Sequence, residues 1–113
     1  MNTPPITVTI NPDGTVIRTA THTNLTHIRR TVGGPAKPIY SDQWVAFINE
    51  NGKTAGLPRN QVATDFFESV GVYYGPGEWV AGVAIILGWA PSTDQFVDVP
   101  EHVHDPRWNC RTI

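Results

Sequence analysis

The chain has 113 residues, a formal net charge of −2, 40% hydrophobic residues and 16% charged residues. This length and composition predict a single globular domain with its own core, and they exclude a disordered chain. The acidic balance disfavours a nucleic-acid-binding domain, since phosphate neutralisation normally needs a basic surface.

Three features predict the compartment. A single cysteine, Cys110, rules out an internal disulfide and fits a reducing environment. Residues 1–10 lack the basic and long apolar stretches of a signal peptide. The longest apolar run, residues 80–87, is much shorter than the ~20 residues of a membrane helix. We therefore expect a soluble, cytoplasmic protein.

The first predicted element is a β-hairpin. Residues 6–10 alternate apolar and polar side chains, which is typical of a half-buried strand. Asn-Pro-Asp-Gly at 11–14 supplies the turn, because proline presets one φ angle and glycine accepts the left-handed position. Val16 and Ile17 begin the return strand.

A short helix is predicted next. Its apolar face has the spacing of one helical stripe and consists of Leu25, Ile28 and Val32. Either Thr23 or Asn24 can cap its start, and Gly33 can end it in a left-handed C-cap. Arg29 and Arg30 in its last turn suit the helix dipole.

Residues 36–40 and 44–49 then predict two strands, and Pro38 restricts the first of them to a sheet edge. A second helix follows the Asn51-Gly52 turn, with Pro58 in its first turn. Its apolar face consists of Val62, Ala63, Phe66 and Phe67.

The last predicted strand, residues 78–88, is mostly apolar and rich in β-branched residues, as in a central strand buried on both faces. Gly82 within it indicates a bulge or a close approach of another segment. Residues 1–90 thus predict an α+β domain of order β-β-α-β-β-α-β, with both short helices on one face of a mostly antiparallel sheet. Residues 91–113 predict a C-terminal tail, and Phe96, Val97 and Trp108 are the residues that could dock it on the domain.

Four pieces of this sequence have a distinctive composition and spacing. They are the Val32-Gly33-Gly34 helix end, Asn-Glu-Asn-Gly-Lys at 49–53, Gly-Leu-Pro-Arg-Asn-Gln-Val-Ala-Thr at 56–64, and the apolar strand ending at Gly88. Through these four segments, residues 6–88 resemble a small family known as the domain of unknown function 3846. The tail after Trp89 lies outside the resemblance. That family occurs in bacteriophages, mobile elements and their bacterial hosts. The resemblance implies a phage or prophage origin and no biochemical activity, because the family has none assigned.

Gly52-Lys53-Thr54 looks like the end of a phosphate-binding loop, but the earlier glycine of that motif would fall at Phe47. A helix would also have to open directly after it, and Gly56 and Pro58 follow instead. We therefore interpret residues 49–60 as a connector from strand to helix.

Within this connector, Leu57 is predicted to enter the core and Asn60 to cap the helix or bond the loop backbone. Lys53 and Arg59 have no evident folding role in the sequence. They are therefore predicted to contact a partner.

The candidates for chemistry are few. His102 and His104 stand two residues apart beside Glu101, Asp105 and Cys110, which is a poor spacing for zinc, so we predict no metal and no cofactor. The chain has no Gly-x-Ser-x-Gly nucleophile motif. A carboxylate pair would require the fold to bring together two of Glu50, Asp65 and Glu68. We therefore predict that the protein is not an enzyme.

The four tryptophans favour recognition instead. Trp44 and Trp79 are predicted to lie in strands and join the core. Trp89 and Trp108 lie in or beside the tail, and with Arg107 they have the residue types of interface anchors, although they could equally pin the tail to the domain.

The predicted function is that of a small phage-type accessory protein. It would bind a host or anti-phage defence protein in the host cytoplasm, with Lys53, Arg59, Trp89, Arg107 and Trp108 as binding residues. The alternative is a small enzyme or metal-binding protein that uses the His102/His104 tail. Nucleic-acid binding through Trp44 or Tyr40 with Arg29 and Arg30 is disfavoured by the net charge.

Overall fold

The computed structural model describes residues 4–41, 43–71, 79–90 and 95–100. These residues form six strands and two helices. In chain order they are β1 (Ile6–Ile10), β2 (Val16–Ala20), α1 (Leu25–Val32), β3 (Ala36–Tyr40), β4 (Trp44–Asn49), α2 (Gln61–Ser69), β5 (Ala84–Ala90) and β6 (Gln95–Val97). The predicted α+β class is confirmed, with β6 as an additional element. Neither helix in the described part of the chain has the length and apolar character needed to cross a membrane.

One sheet contains all six strands, and every neighbouring pair is antiparallel. The order is β2-β1-β5-β4-β3, and β6 pairs with the last three residues of β5. The central strand is therefore β5, and its Ile85 and Ile86 point to opposite faces and are both buried. This confirms the prediction of a central strand buried on both sides.

The strand β3 lies at one end of this order, as Pro38 predicts. The amide of Glu50 donates to the carbonyl of Pro35, and the amide of Ser41 donates to the carbonyl of Trp44. In an antiparallel pair, hydrogen-bonded and non-hydrogen-bonded residues alternate along each strand. The backbone nitrogen and carbonyl of Pro38 therefore point away from β4. Proline at this position therefore costs no ladder hydrogen bond.

The two helices pack on opposite faces of the sheet, so the prediction that they share one face is wrong. Phe66 and Phe67 of α2 pack on Trp44, in the same core cluster as Ile86 and the other residues of that face. Ile28 and Val32 of α1 belong to a second cluster with Val45, Ile85 and Leu87. Because β4 and β5 are apolar at successive positions, both of their faces need a cover.

The ends of α1 follow the sequence signals. The side chain of Asn24 accepts a hydrogen bond from the amide of His27, so Asn24 rather than Thr23 is the N-cap. Gly33 ends the helix with φ 85°, in the left-handed region. The hydroxyl of Thr23 is buried and has no hydrogen-bond partner among the described residues.

Residues 95–99 of the predicted tail are built into the domain. The amide of Ile6 donates to the Asp98 carboxylate at 2.8 Å, and the amide of Val99 donates to the Ile6 carbonyl at 3.1 Å. Val99 is buried in the core cluster on the α2 face. A β-carbon at Gly88 would collide with the carbonyl oxygen of Asp98, so glycine is what allows β6 to lie this close to β5.

Candidate functional site

The segment from Asn49 to Asn60 connects β4 to α2 through a series of turns. The amide of Ala55 donates to the carbonyl of Asn51 at 2.8 Å, and the amide of Leu57 donates to the carbonyl of Gly52 at 2.9 Å. No helix opens after Gly52, and α2 begins only at Gln61. The connector interpretation is therefore confirmed, and Asn51-Gly52 lies in a turn, in which the amide of Gly52 donates to the carbonyl of Asn49 at 3.2 Å.

The end of the connector runs beside the segment that leads into β5. The amide of Gly82 donates to the carbonyl of Pro58, and the amide of Asn60 donates to the carbonyl of Val80, both at 2.7 Å. Pro58 therefore precedes α2, and the prediction that it lies in the first helical turn is wrong. A β-carbon at Gly82 would lie 2.8 Å from the Cδ1 atom of Leu57, which confirms a close approach there. Leu57 itself is half-buried.

Asn60 is the buried residue that holds this arrangement together. Its side-chain amide donates to the carbonyls of Ile10 and Gly82, both at 2.9 Å. Its side-chain oxygen accepts from the amide of Ala63 at 3.0 Å, which caps α2. One side chain thus joins β1, the approach to β5 and the start of α2. Both roles predicted for Asn60 are confirmed.

The side chains of Thr64 and Asn49 add four more hydrogen bonds around the connector. The Thr64 hydroxyl accepts from the amide of Val80 at 2.9 Å and donates to the carbonyl of Asn60 at 2.8 Å. The side chain of Asn49 donates to the carbonyl of Val32 at 3.1 Å and accepts from the amide of Asn51 at 2.7 Å. Buried polar side chains therefore fix the connector at both ends. Buried polar groups stabilise a fold when they are hydrogen-bonded, as these are.

A cleft of about 250 Å³ opens beside the connector on the face of the sheet that α2 covers. Its described lining consists of Lys37, Ile48, Asn49, Glu50, Asn51, Gly52, Lys53, Thr54, Trp79 and Ala81. Both lysines of the chain, Lys37 from β3 and Lys53 from the connector, are in this lining. Glu50 contributes the opposing charge, and all three side chains are exposed.

Trp79 forms an aromatic wall of the cleft and contacts two cations. The ammonium nitrogen of Lys53 lies 4.5 Å from the centre of its ring, and the guanidinium carbon of Arg59 lies 5.2 Å from it. Both distances suit cation–π attraction. Lys53 and Arg59, which have no evident folding role in the sequence, therefore both contact Trp79 in the structure. The prediction that Trp79 lies in a strand is wrong, since β5 begins at Ala84.

The family model for the domain of unknown function DUF3846 matches residues 6–108. The chain belongs to this family. The match runs past Gly88, where the sequence resemblance was expected to stop, and it includes the connector, Trp79 and β6. No match to the chain is found among curated proteins or among solved structures.

In this DUF3846 domain, the predicted binding residues do not form one site. Lys53 and Arg59 lie together against Trp79. Trp89 is elsewhere: it packs edge-on against Phe96, with ring centres 5.7 Å apart, and both partly buried rings pack against the core cluster on the α1 face. Arg107 and Trp108 lie outside the described residues.

The other candidate residues, for nucleic-acid binding, catalysis and metal binding, do not form one site either among the described residues. Trp44 is only 2% exposed, so it cannot serve as a stacking platform for a nucleic acid, although Tyr40 is 68% exposed. Of the three carboxylates, Glu50 lines the cleft, and Asp65 accepts a hydrogen bond from Gln61 on its own helix at 2.7 Å. Among the described residues, no cluster of histidine, cysteine and carboxylate side chains could hold a metal ion. His102, His104 and Cys110 lie outside those residues.

Two members of the site could not be identified as such from the sequence. Lys37 is 16 residues away from Lys53 along the chain, and antiparallel pairing of β3 with β4 brings it to the cleft. Trp79 reaches the cleft because residues 80–82 run beside residues 58–60. The one signal for this site in the sequence was its composition: the chain has only two lysines, and one of them lies in the connector.

Proposed function

We propose that this DUF3846 domain acts by binding another protein, as a small phage-type accessory protein in the host cytoplasm. Its target would be a host or anti-phage defence protein whose surface it blocks. The observation that supports this proposal is the concentration of Lys37, Lys53 and Arg59 around one cleft and one aromatic ring. A chain with a net charge of −2 thereby presents a locally basic, aromatic surface.

The rigidity of the connector supports the same proposal. A binding surface is more effective when its side chains are held in place before the partner arrives, because less conformational entropy is lost on association. Asn60 and Thr64 fix one end of the connector through buried hydrogen bonds, and Asn49 fixes the other. Trp79 also restricts the two long cationic side chains that lie over its ring.

Binding rather than catalysis is proposed because of the chemistry of the cleft. Among the described residues that line it, the ionisable groups are two lysines and Glu50. A catalytic constellation would combine a nucleophile or base with a group that orients it and with an oxyanion donor. The cleft residues are suited instead to charge-based recognition.

A capture experiment with charge-matched variants tests the proposal. Tagged wild-type protein is compared with Lys53→Ala/Arg59→Ala and with Arg29→Ala/Arg30→Ala in bacterial host lysate, followed by mass spectrometry. Both variants lose two positive charges, but Arg29 and Arg30 are exposed on α1, on the opposite face of the sheet. We expect a protein that the wild type and the α1 variant retain and the connector variant loses. Identical protein sets from all three samples would refute the proposal.

A further inference from the structure

We infer that the cleft receives a carboxylate side chain from an acidic segment of the partner protein. This inference rests on the proposed function and specifies the chemistry of its contact. The pocket for the carboxylate is the space bounded by Lys37, Lys53, the turn at Gly52 and the ring of Trp79.

The charged side chains around the cleft favour an anionic ligand. Lys37 and Lys53 come from separate elements and line the same cleft, and Arg59 adds a third positive charge on the ring of Trp79. Glu50 offsets one of these charges. The described residues around the cleft therefore carry an excess of positive charge, which attracts acidic partners and repels basic ones.

The volume and the lining of the cleft favour a side chain of a larger partner over a free small molecule as its ligand. Small-molecule sites usually enclose about 300–1,000 Å³ and are mainly apolar. This cleft is about 250 Å³, and its described lining is dominated by asparagine, lysine, glutamate and threonine. A cleft of this kind suits a protruding polar group that is held by the rest of a larger partner.

The bonded amides of the connector favour a carboxylate over a phosphate as the ligand of the cleft. Phosphate loops present several unpaired backbone amides to the anion. Here the amides of Gly52, Ala55, Gly56 and Leu57 all donate to carbonyls within residues 49–53. The amide of Asn51 donates to the side chain of Asn49. These donors are already used, and Glu50 disfavours a second negative charge on the ligand.

A nuclear magnetic resonance titration tests the inference on the full chain. The probe is the peptide acetyl-Gly-Glu-Glu-Glu-Gly-amide, and its control is the same peptide with glutamine in place of glutamate. A short oligothymidylate is the phosphate-bearing probe. The reporters are the backbone amides of Gly52 and Lys53 and the indole N–H of Trp79, whose ring lines the cleft.

We expect the glutamate peptide to shift these three signals and the glutamine peptide to leave them unchanged. Lys37→Gln/Lys53→Gln should weaken the binding about fivefold, the effect of losing two solvent-exposed charge pairs, whereas Arg29→Gln/Arg30→Gln should not. Equal shifts with both peptides, no shifts with the glutamate peptide, or tighter binding of the oligothymidylate would overturn the inference.

The two proposals can fail separately. Capture of a host protein that depends on Lys53 and Arg59, with no response to the glutamate peptide, would remove the carboxylate site and leave the binding function. A response to the glutamate peptide at the cleft, with no such captured protein, would keep the carboxylate site and remove the host-protein role.

Discussion

A β-carbon at Gly52 would lie 2.5 Å from the carbonyl oxygen of Ala81. The connector and the segment before β5 therefore approach each other too closely to leave room for a side chain at position 52. This contact, together with the bonds between residues 58–60 and 80–82, brings Lys53 and Arg59 to the ring of Trp79.

Gly52→Ala should destabilise the protein more than Gly56→Ala. At position 52 the new methyl group must displace backbone, which costs about 1–3 kcal/mol as overpacking and more if the connector cannot move. Gly56 has φ 74° and open space around it, so alanine there meets only the left-handed backbone cost of about 1–2 kcal/mol. Urea denaturation of both variants compares the losses. An equal or reversed order would contradict the close contact with Ala81.

Asn60→Ala should cost about 3 kcal/mol or more, because it removes a helix cap and two buried hydrogen bonds to the carbonyls of Ile10 and Gly82. Asn24→Ala is the matched control. Asn24 also caps a helix, but it is exposed, so its loss should cost about 1 kcal/mol. Thermal denaturation monitored by circular dichroism measures both. Similar losses for the two variants would show that the bonds from Asn60 to Ile10 and Gly82 contribute little.

Gly88→Ala should release β6 from β5, since the added methyl group would occupy the position of the Asp98 carbonyl. The amide of Val99, which donates to Ile6, should then exchange with solvent much faster. Val97→Ala is the control, because Val97 is 38% exposed. Hydrogen exchange of the Val99 amide distinguishes the two variants. Protection that survives in Gly88→Ala would mean that β6 does not depend on this contact.

ATP and GTP should leave the melting temperature of the protein unchanged. The amides of Gly52, Ala55, Gly56 and Leu57 are bonded within the connector, and no helix begins at Gly52-Lys53-Thr54. A thermal-shift assay with wild type and Lys53→Ala checks this. Stabilisation of the wild type by either nucleotide, absent in Lys53→Ala, would restore the nucleotide-loop hypothesis.

Local signals in the sequence predicted much of the fold. The turn at residues 11–14, the cap at Asn24, the end at Gly33 and the edge position of Pro38 are all set by backbone angles or by missing donors. Such preferences act within a few residues and can therefore be recognised in one sequence.

Apart from the position of Pro58 before α2, the errors concern contacts between distant segments. The apolar positions of β4 and β5 indicate two buried faces but not which helix covers each one. Trp79 resembles a strand residue because apolar neighbours follow it, yet its partners come from the connector. Sequence spacing carries no information about such long-range contacts, so Lys53 and Arg59 were identified without the ring that joins them.

The proposed function is tested most directly by photocrosslinking in bacterial host cells. A benzoylphenylalanine at Thr54, which is exposed and lines the cleft, is compared with one at Thr26, which is exposed on α1. We predict a covalent adduct with one host or defence protein from position 54, absent from position 26 and absent when Lys53 and Arg59 are both alanine. No adduct from position 54, or the same adducts from both positions, would contradict the proposal that this cleft is the binding surface.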